Sequence, residues 1–166
     1  MDKVSTELDD FGFSLKAISV DFFHLANIKE VQKRFNTRLL DRPLEVRSET
    51  QVSSGCFLEN NIFQNQVVTK YLTFVEQEQI ILGEFIIAID YIIKDLEKYK
   101  DKDDKIILPS ALGGSLISIS ISTTRGILFE KLANTFLSNV IMPLIDPSKF
   151  IITELPKSLV NKKKKK

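Results

Sequence analysis

The segment Ile80–Ile93, IILGEFIIAIDYII, constrains the fold more than any other stretch of this chain. Its isoleucines and aromatics, bounded by Glu76-Gln77-Glu78-Gln79 and Lys94, describe a β-strand following a polar hairpin connection. Both alternating faces are apolar: Ile81, Phe85, Ile87, Ile89 and Tyr91 on one, Ile80, Leu82, Ile86 and Ile92 on the other. A strand of an antiparallel meander normally keeps one wet face. Something is therefore expected to cover this strand on both sides. Gly83, Glu84 and Asp90 interrupt the run, which is too short and too charged to span a bilayer.

Three strands precede it. Ile18, Val20 and Phe22 alternate with Ser19 and Asp21 between Leu15 and His24, the period of a half-buried strand. Asn27 offers a helix N-cap with Glu30 three residues on, and Val31, Phe35 and Leu39 follow at four-residue spacing, so a short amphipathic helix is expected to end before Pro43. Leu44–Cys56 sets Leu44, Val46, Thr50 and Val52 against Glu45, Arg47, Glu49 and Gln51. Glu59-Asn60-Asn61 signals a turn, and Gln66–Glu76, rich in Val, Thr, Tyr and Phe, supplies the third strand. A charge-dense linker, Lys94–Lys105, separates this β half from the remainder.

In Ser115–Thr124, Ile117, Ile119 and Ile121 alternate with serines, so period and propensity favour a strand. Yet Gly114, Ser118, Ser122 and Gly126 recur every four residues, which on a helix would form a small-residue stripe suited to close helix packing. Residue patterns leave both open. Beyond it, Val140-Ile141-Met142-Pro143-Leu144-Ile145 is apolar where a surface connection would be polar. Asp146-Pro147-Ser148 then signals the start of another short helix.

The chain has 166 residues, 43% hydrophobic and 27% charged, which fits one globular domain. Its net charge is +1, and the five lysines of Lys162–Lys166 leave the remainder at −4, without a basic face for nucleic acid. That tail, residues 157–166, and the polar residues 1–11 are expected to be solvated ends flanking a domain at 12–156. The start MDKVSTELDD lacks the pattern of a signal peptide, and Cys56 is the only cysteine. Together these favour the cytoplasm.

No catalytic or cofactor-binding constellation emerges. His24, the only histidine, falls on the apolar side of the first strand and reads as a partly buried structural imidazole. Cys56 has no activating partner, and one Cys with one His cannot complete a zinc site. Gly113-Gly114 lacks the flanking residues of a phosphate loop. An enzyme is not indicated. What remains is apolar surface, concentrated in the fourth strand and in 140–145. One account makes it core and oligomer interface. Another makes it a groove for extended apolar polypeptide, lined by Val140, Ile141, Met142, Leu144 and Ile145 over sheet residues such as Phe85 and Ile87.

The order of these features resembles the C-terminal half of the SecB export chaperone family, especially its divergent SecB-like members. The resemblance rests on Ser110–Leu155: an Arg125-Gly126 near the end of a helix, an apolar connector, Leu144 to Pro147, and a short segment with Phe150. It implies an α+β fold, a four-stranded antiparallel sheet followed by a long helix over about 109–133, a connecting loop and a short second helix at 148–155. It also implies a homo-oligomer, dimer or tetramer, with Gly114, Ser118 and Ser122 at a close helix contact. It further implies unfolded polypeptide or preprotein clients held without ATP, and SecA as a partner. This chain differs in the helical insertion at 28–40 and in lysines where export members end acidic. Glu45, Glu49 and Glu84 are the candidates for a SecA contact. An antitoxin chaperone and a non-chaperone adaptor reusing the fold are the alternatives.

Overall fold

The computed structural model describes residues 12–35 and 45–147. In chain order these form β1 (Phe13–Leu25), α1 (Ile28–Arg34), β2 (Arg47–Phe57), β3 (Ile62–Val75), β4 (Glu78–Ile93) and α2 (Ser110–Leu132). The strands make one antiparallel sheet in the order β1-β4-β3-β2, and α2 packs on one face of it, so the architecture is α+β as expected. The ends at 1–11 and 157–166, the later part of the first helix with Leu39, Leu44, and the short helix at 148–155 lie outside the described residues.

Local chemistry sets the joints. Asn27 caps α1 as expected: its Oδ1 accepts from Lys29 N at 3.2 Å while its Nδ2 donates to Glu30 Oε1 at 2.9 Å. The β3–β4 hairpin turns on two residues only, Glu76 (φ 50°) and Gln77 (φ 71°), both left-handed, as a turn matched to strand twist requires. Asn61, also left-handed, closes the turn after β2. Its carbonyl accepts from Ile93 N at 2.9 Å and its side chain from Leu96 N at 3.3 Å, which ties that turn to the end of β4.

Bulges correct the expected faces. β4 skips a step of register between Tyr71↔Gly83 and Leu72↔Ile81, so Ile80 and Leu82 join Phe85, Ile87, Ile89 and Tyr91 on the helix side. Ile81 goes to the far side with Ile86 and Ile92. A count by twos assumes an unbroken ladder, and the bulge breaks it. Gly83 permits the crossing: a Cβ there would lie 2.7 Å from the Phe85 ring and 3.3 Å from Leu137. β1 is bulged between Val20 and Phe22, so Phe22 leaves the face of Ile18 and Val20 and Phe23 takes its place.

Ser115–Thr124 is helical, and the sheet-facing residues show why. Leu116, Ile117, Ser120, Ile121, Thr124, Leu128 and Leu132 recur at three- and four-residue steps and are buried, whereas Ile119 is exposed. Ser115, Ser118 and Ser120 satisfy their hydroxyls on the carbonyls four residues back, each at 2.8 Å. α2 is long and apolar enough to cross a bilayer by those measures alone, yet here its buried side is a core face.

A buried polar chain fixes the helix on the sheet. Ser54 Oγ donates to Asn65 Oδ1 at 2.6 Å, and Asn65 Nδ2 donates to Ser120 Oγ at 3.0 Å. The Tyr91 hydroxyl lies 2.8 Å from Ser120 Oγ and donates to the Leu116 carbonyl at 3.2 Å. Strands β2, β3 and β4 are thereby pinned to one turn of α2. Such a network specifies one placement of the helix, since sliding it would strand several buried polar groups.

Candidate functional site

α2 covers β2, β3 and β4 but stops short of β1. The register makes this visible pair by pair. On the helix side Leu15 faces Tyr91, Ile18 faces Ile89, Val20 faces Ile87 and Phe23 faces Phe85. The β4 partners are completely buried, while the β1 residues are 54%, 43%, 40% and 39% exposed. Phe23 confirms the face: its ring lies 4.8 Å from that of Phe85. The strand expected to be half-buried is thus the uncovered margin of the core. As the outer strand it also carries an unpaired backbone edge among the described residues.

The connector after α2 frames this strip. It closes on the sheet at Leu137, against Gly83, whose β1 partner is Leu25. It returns at Asp146 and Pro147, which share a cleft of about 1740 Å³ with Phe13, Leu15 and the Gly114–Ser118 side of α2. Residues 138–145 therefore run between the two ends of the β1–β4 pair. Along this course Met142 is 2% exposed and belongs to the core, Val140 and Ile145 pack partly against it, and Ile141 and Leu144 are 64% and 87% exposed. The exposed β1 row lies between these two points of contact, and Ile141 and Leu144 are the open apolar side chains of the connector.

The residues expected to line a groove are divided by the structure. Ile141 and Leu144 point to solvent and Val140 and Ile145 are half-buried. Met142, Phe85 and Ile87 lie beneath the surface, so in the single chain they have none to offer a client. Sequence reasoning missed Leu15, Ile18, Val20 and Phe23. Their alternation was legible, but alternation marks an apolar face without saying whether an element covers it.

The small-residue stripe faces away from the sheet. Gly114 and Ser118 open on the cleft, Ser122 is exposed, and a Cβ at Gly114 or Gly126 would meet nothing within 4 Å. His24 corrects the expectation of partial burial: it is exposed on the far face, stacked with Phe22 at 6.3 Å, because the bulge places it opposite Glu84. Cys56 is half-buried opposite Phe63, and burial pushes its thiol up to about 11, away from nucleophilic chemistry. Among the described residues no group of His, Cys, Asp and Glu side chains is placed to hold a metal ion.

The far face of the sheet is apolar too, with Phe22, Ile81, Phe74 and Ile92 exposed. Charged and polar pairs break it up: Lys70 with Glu84 at 3.0 Å and Gln64 with Asp90 at 2.6 Å. Glu49 stands beside Lys70 in the same row. The β1 strip is the more continuous of the two apolar surfaces.

No family model matches this chain, and no curated protein does. Among solved structures it is similar to the Rv1957 SecB-like chaperone of Mycobacterium tuberculosis, solved with a ChAD peptide from the Rv1956 HigA1 antitoxin. That likeness covers 84% of this chain and 100% of the other, with a TM-score of 0.50 and 9% identity. A protein of unknown function from Streptococcus agalactiae aligns over 80% of this chain and 96% of its own, at a TM-score of 0.32 and 12% identity. The fold is SecB-like. The likeness is one of fold, at a sequence identity too low to carry an activity with it.

Proposed function

We propose that this protein holds unfolded polypeptide, without ATP or a cofactor, in the trough between β1 and the connector. The single observation behind this is the β1 strip: four large apolar side chains left open beside β4 partners that are wholly buried. Apolar surface of this kind on a folded protein marks an interaction site. An extended segment can seat alternate side chains on Leu15, Ile18, Val20 and Phe23 while its backbone pairs with the free strand edge. Ile141 and Leu144 would close over it. Such contacts discriminate little between sequences, as a holding chaperone requires. The peptide in the M. tuberculosis neighbour supports a polypeptide client, and an antitoxin or a preprotein destined for SecA would be recognised through the same chemistry.

In the assembled protein the Gly114–Ser118–Ser122 stripe would meet a second copy, giving a homo-oligomer with cytoplasmic clients. The open space over Gly114 favours this contact, and it also supports the rival reading of a sealed scaffold. An apolar fluorescent probe separates them, bright on a chaperone and dim on a scaffold. The direct test is suppression of aggregation of a slowly refolding protein without nucleotide. Wild type should suppress it near stoichiometry, and Ile141→Ser with Leu144→Ser should weaken this. No suppression by wild type would refute the reading.

A further inference from the structure

We infer that Thr50, Thr69, Tyr71 and Thr124 hold ordered water between the second half of α2 and the sheet. Each of these four hydroxyls is sealed from bulk solvent and has no hydrogen-bond partner among the described residues. Thr69, Tyr71 and Thr124 are 0% exposed. Buried hydroxyls almost always find a partner, in the protein or in bound water. The four belong to one layer. On the helix side of the β2–β3 ladder the pairs run Ser54↔Asn65, Val52↔Val67, Thr50↔Thr69 and Ser48↔Tyr71, so Thr50 and Thr69 stand directly opposite each other. The Tyr71 ring lies 5.8 Å from that of Phe85, the β4 partner of Thr69, which keeps the phenol beside the same row.

α2 passes over this ladder in rising order. Its Leu116 carbonyl meets Tyr91, across from Phe63, and Ser120 meets Asn65. Beyond the helix Leu137 reaches Gly83, across from Tyr71. Thr124, one turn past Ser120 on the buried face, therefore stands over the ladder between Asn65 and Tyr71. The two halves of α2 thus meet the sheet differently. Leu116 and Ser120 are bonded to it directly, whereas past Ser120 no side-chain hydrogen bond joins helix to sheet among the described residues. Nor does Thr124 bond back to the carbonyl four residues earlier, as Ser115, Ser118 and Ser120 do. Its hydroxyl is left for a neighbour outside the helix. Water donates twice and accepts twice, so it can link hydroxyls on three elements that do not touch one another. The site does not depend on the proposed holding function.

The test uses the full chain. Thr69→Val and Thr124→Val keep the side-chain shape and remove one hydroxyl each. Where water is held, each change strips a partner from it and should raise the unfolding equilibrium constant severalfold. A bare hydroxyl exchanged for a methyl would leave that constant unchanged or lower it, and either outcome would overturn the proposal. The double variant should unfold less readily than the product of the single effects requires, because both residues serve the same water. Effects that simply multiply would contradict a shared site. Coupling of Thr50→Val with Thr69→Val, but not of Thr69→Val with Thr124→Val, would show a direct cross-strand hydroxyl pair and would equally overturn it. Magnetic relaxation dispersion of the water oxygen is a readout that does not rest on stability. The wild type should show long-lived internal water that the double variant lacks, and equal dispersions from the two would sink the proposal.

Discussion

Gly83 and Ser120 carry structural roles disproportionate to their size. At Gly83 the bulge brings the Phe85 ring to 2.7 Å from where a Cβ would sit, and that ring is hemmed in by Phe23 and Tyr71. Gly83→Ala should therefore cost about 1–3 kcal/mol through overpacking, read as a lower midpoint in urea. Ser120→Ala would leave the Asn65 amide unsatisfied in the core and should cost about 1–3 kcal/mol. A neutral result would show that the network does not pin the helix. Cys56 makes a prediction in pH. Its folded thiol titrates near 11 against an ordinary 9.0, so the fold favours the protonated form. The associated stability is complete below pH 9 and is lost as pH rises toward 11. Burial also raises Tyr71 and Tyr91, which deepens the alkaline loss. Cys56→Ser should flatten the slope of stability between pH 9 and 11, and at pH 8 alkylation of Cys56 should run about a hundredfold slower than that of a free thiol.

Among the elements, the β3–β4 hairpin holds Glu76 and Gln77 in a left-handed conformation that neither favours. Glu76→Asn with Gln77→Gly should stabilise the protein by about 1 kcal/mol, visible as a higher melting temperature. On α2, Ser118 opens on the cleft, so Ser118→Leu should leave the melting temperature of the single chain nearly unchanged while lowering the assembled mass in light scattering. The succession of four strands and the start of α1 at its Asn27 cap were legible in the sequence because period, caps and turn residues are local signals. The identity of α2 was not legible from local rules alone. Ile117, Ile119 and Ile121 fit a strand as well as a helix, and only the four-residue spacing of Gly114, Ser118 and Ser122 pointed the other way. The face assignments failed at Leu82 and Phe22 for one shared cause: a bulge inverts every side chain beyond it and leaves no mark in composition. The site was half legible. Ile141 and Leu144 stood out as apolar residues in a connection, but the openness of Leu15 and Ile18 depends on where a distant helix stops.

At the scale of the molecule, one helix is too narrow for a four-stranded sheet, and the uncovered strand, β1, is one of its two outer ones. The sheet thus leaves an apolar margin open at Leu15, Ile18, Val20 and Phe23. Ile141 and Leu144 are solvent-facing, so replacing both with serine should alter stability by no more than about 0.5 kcal/mol, while client affinity falls. Equal losses of both would place these residues in the core. The central claim is that a client lies on the helix side of β1, and a photo-crosslinking amino acid tests it at two neighbouring positions of one strand. Placed at Ile18 it should couple efficiently to a bound unfolded polypeptide, and placed at Phe22, on the opposite face, it should couple poorly. Strong coupling from Phe22 with little from Ile18, or none from either while the client is bound, would contradict the trough as the binding site.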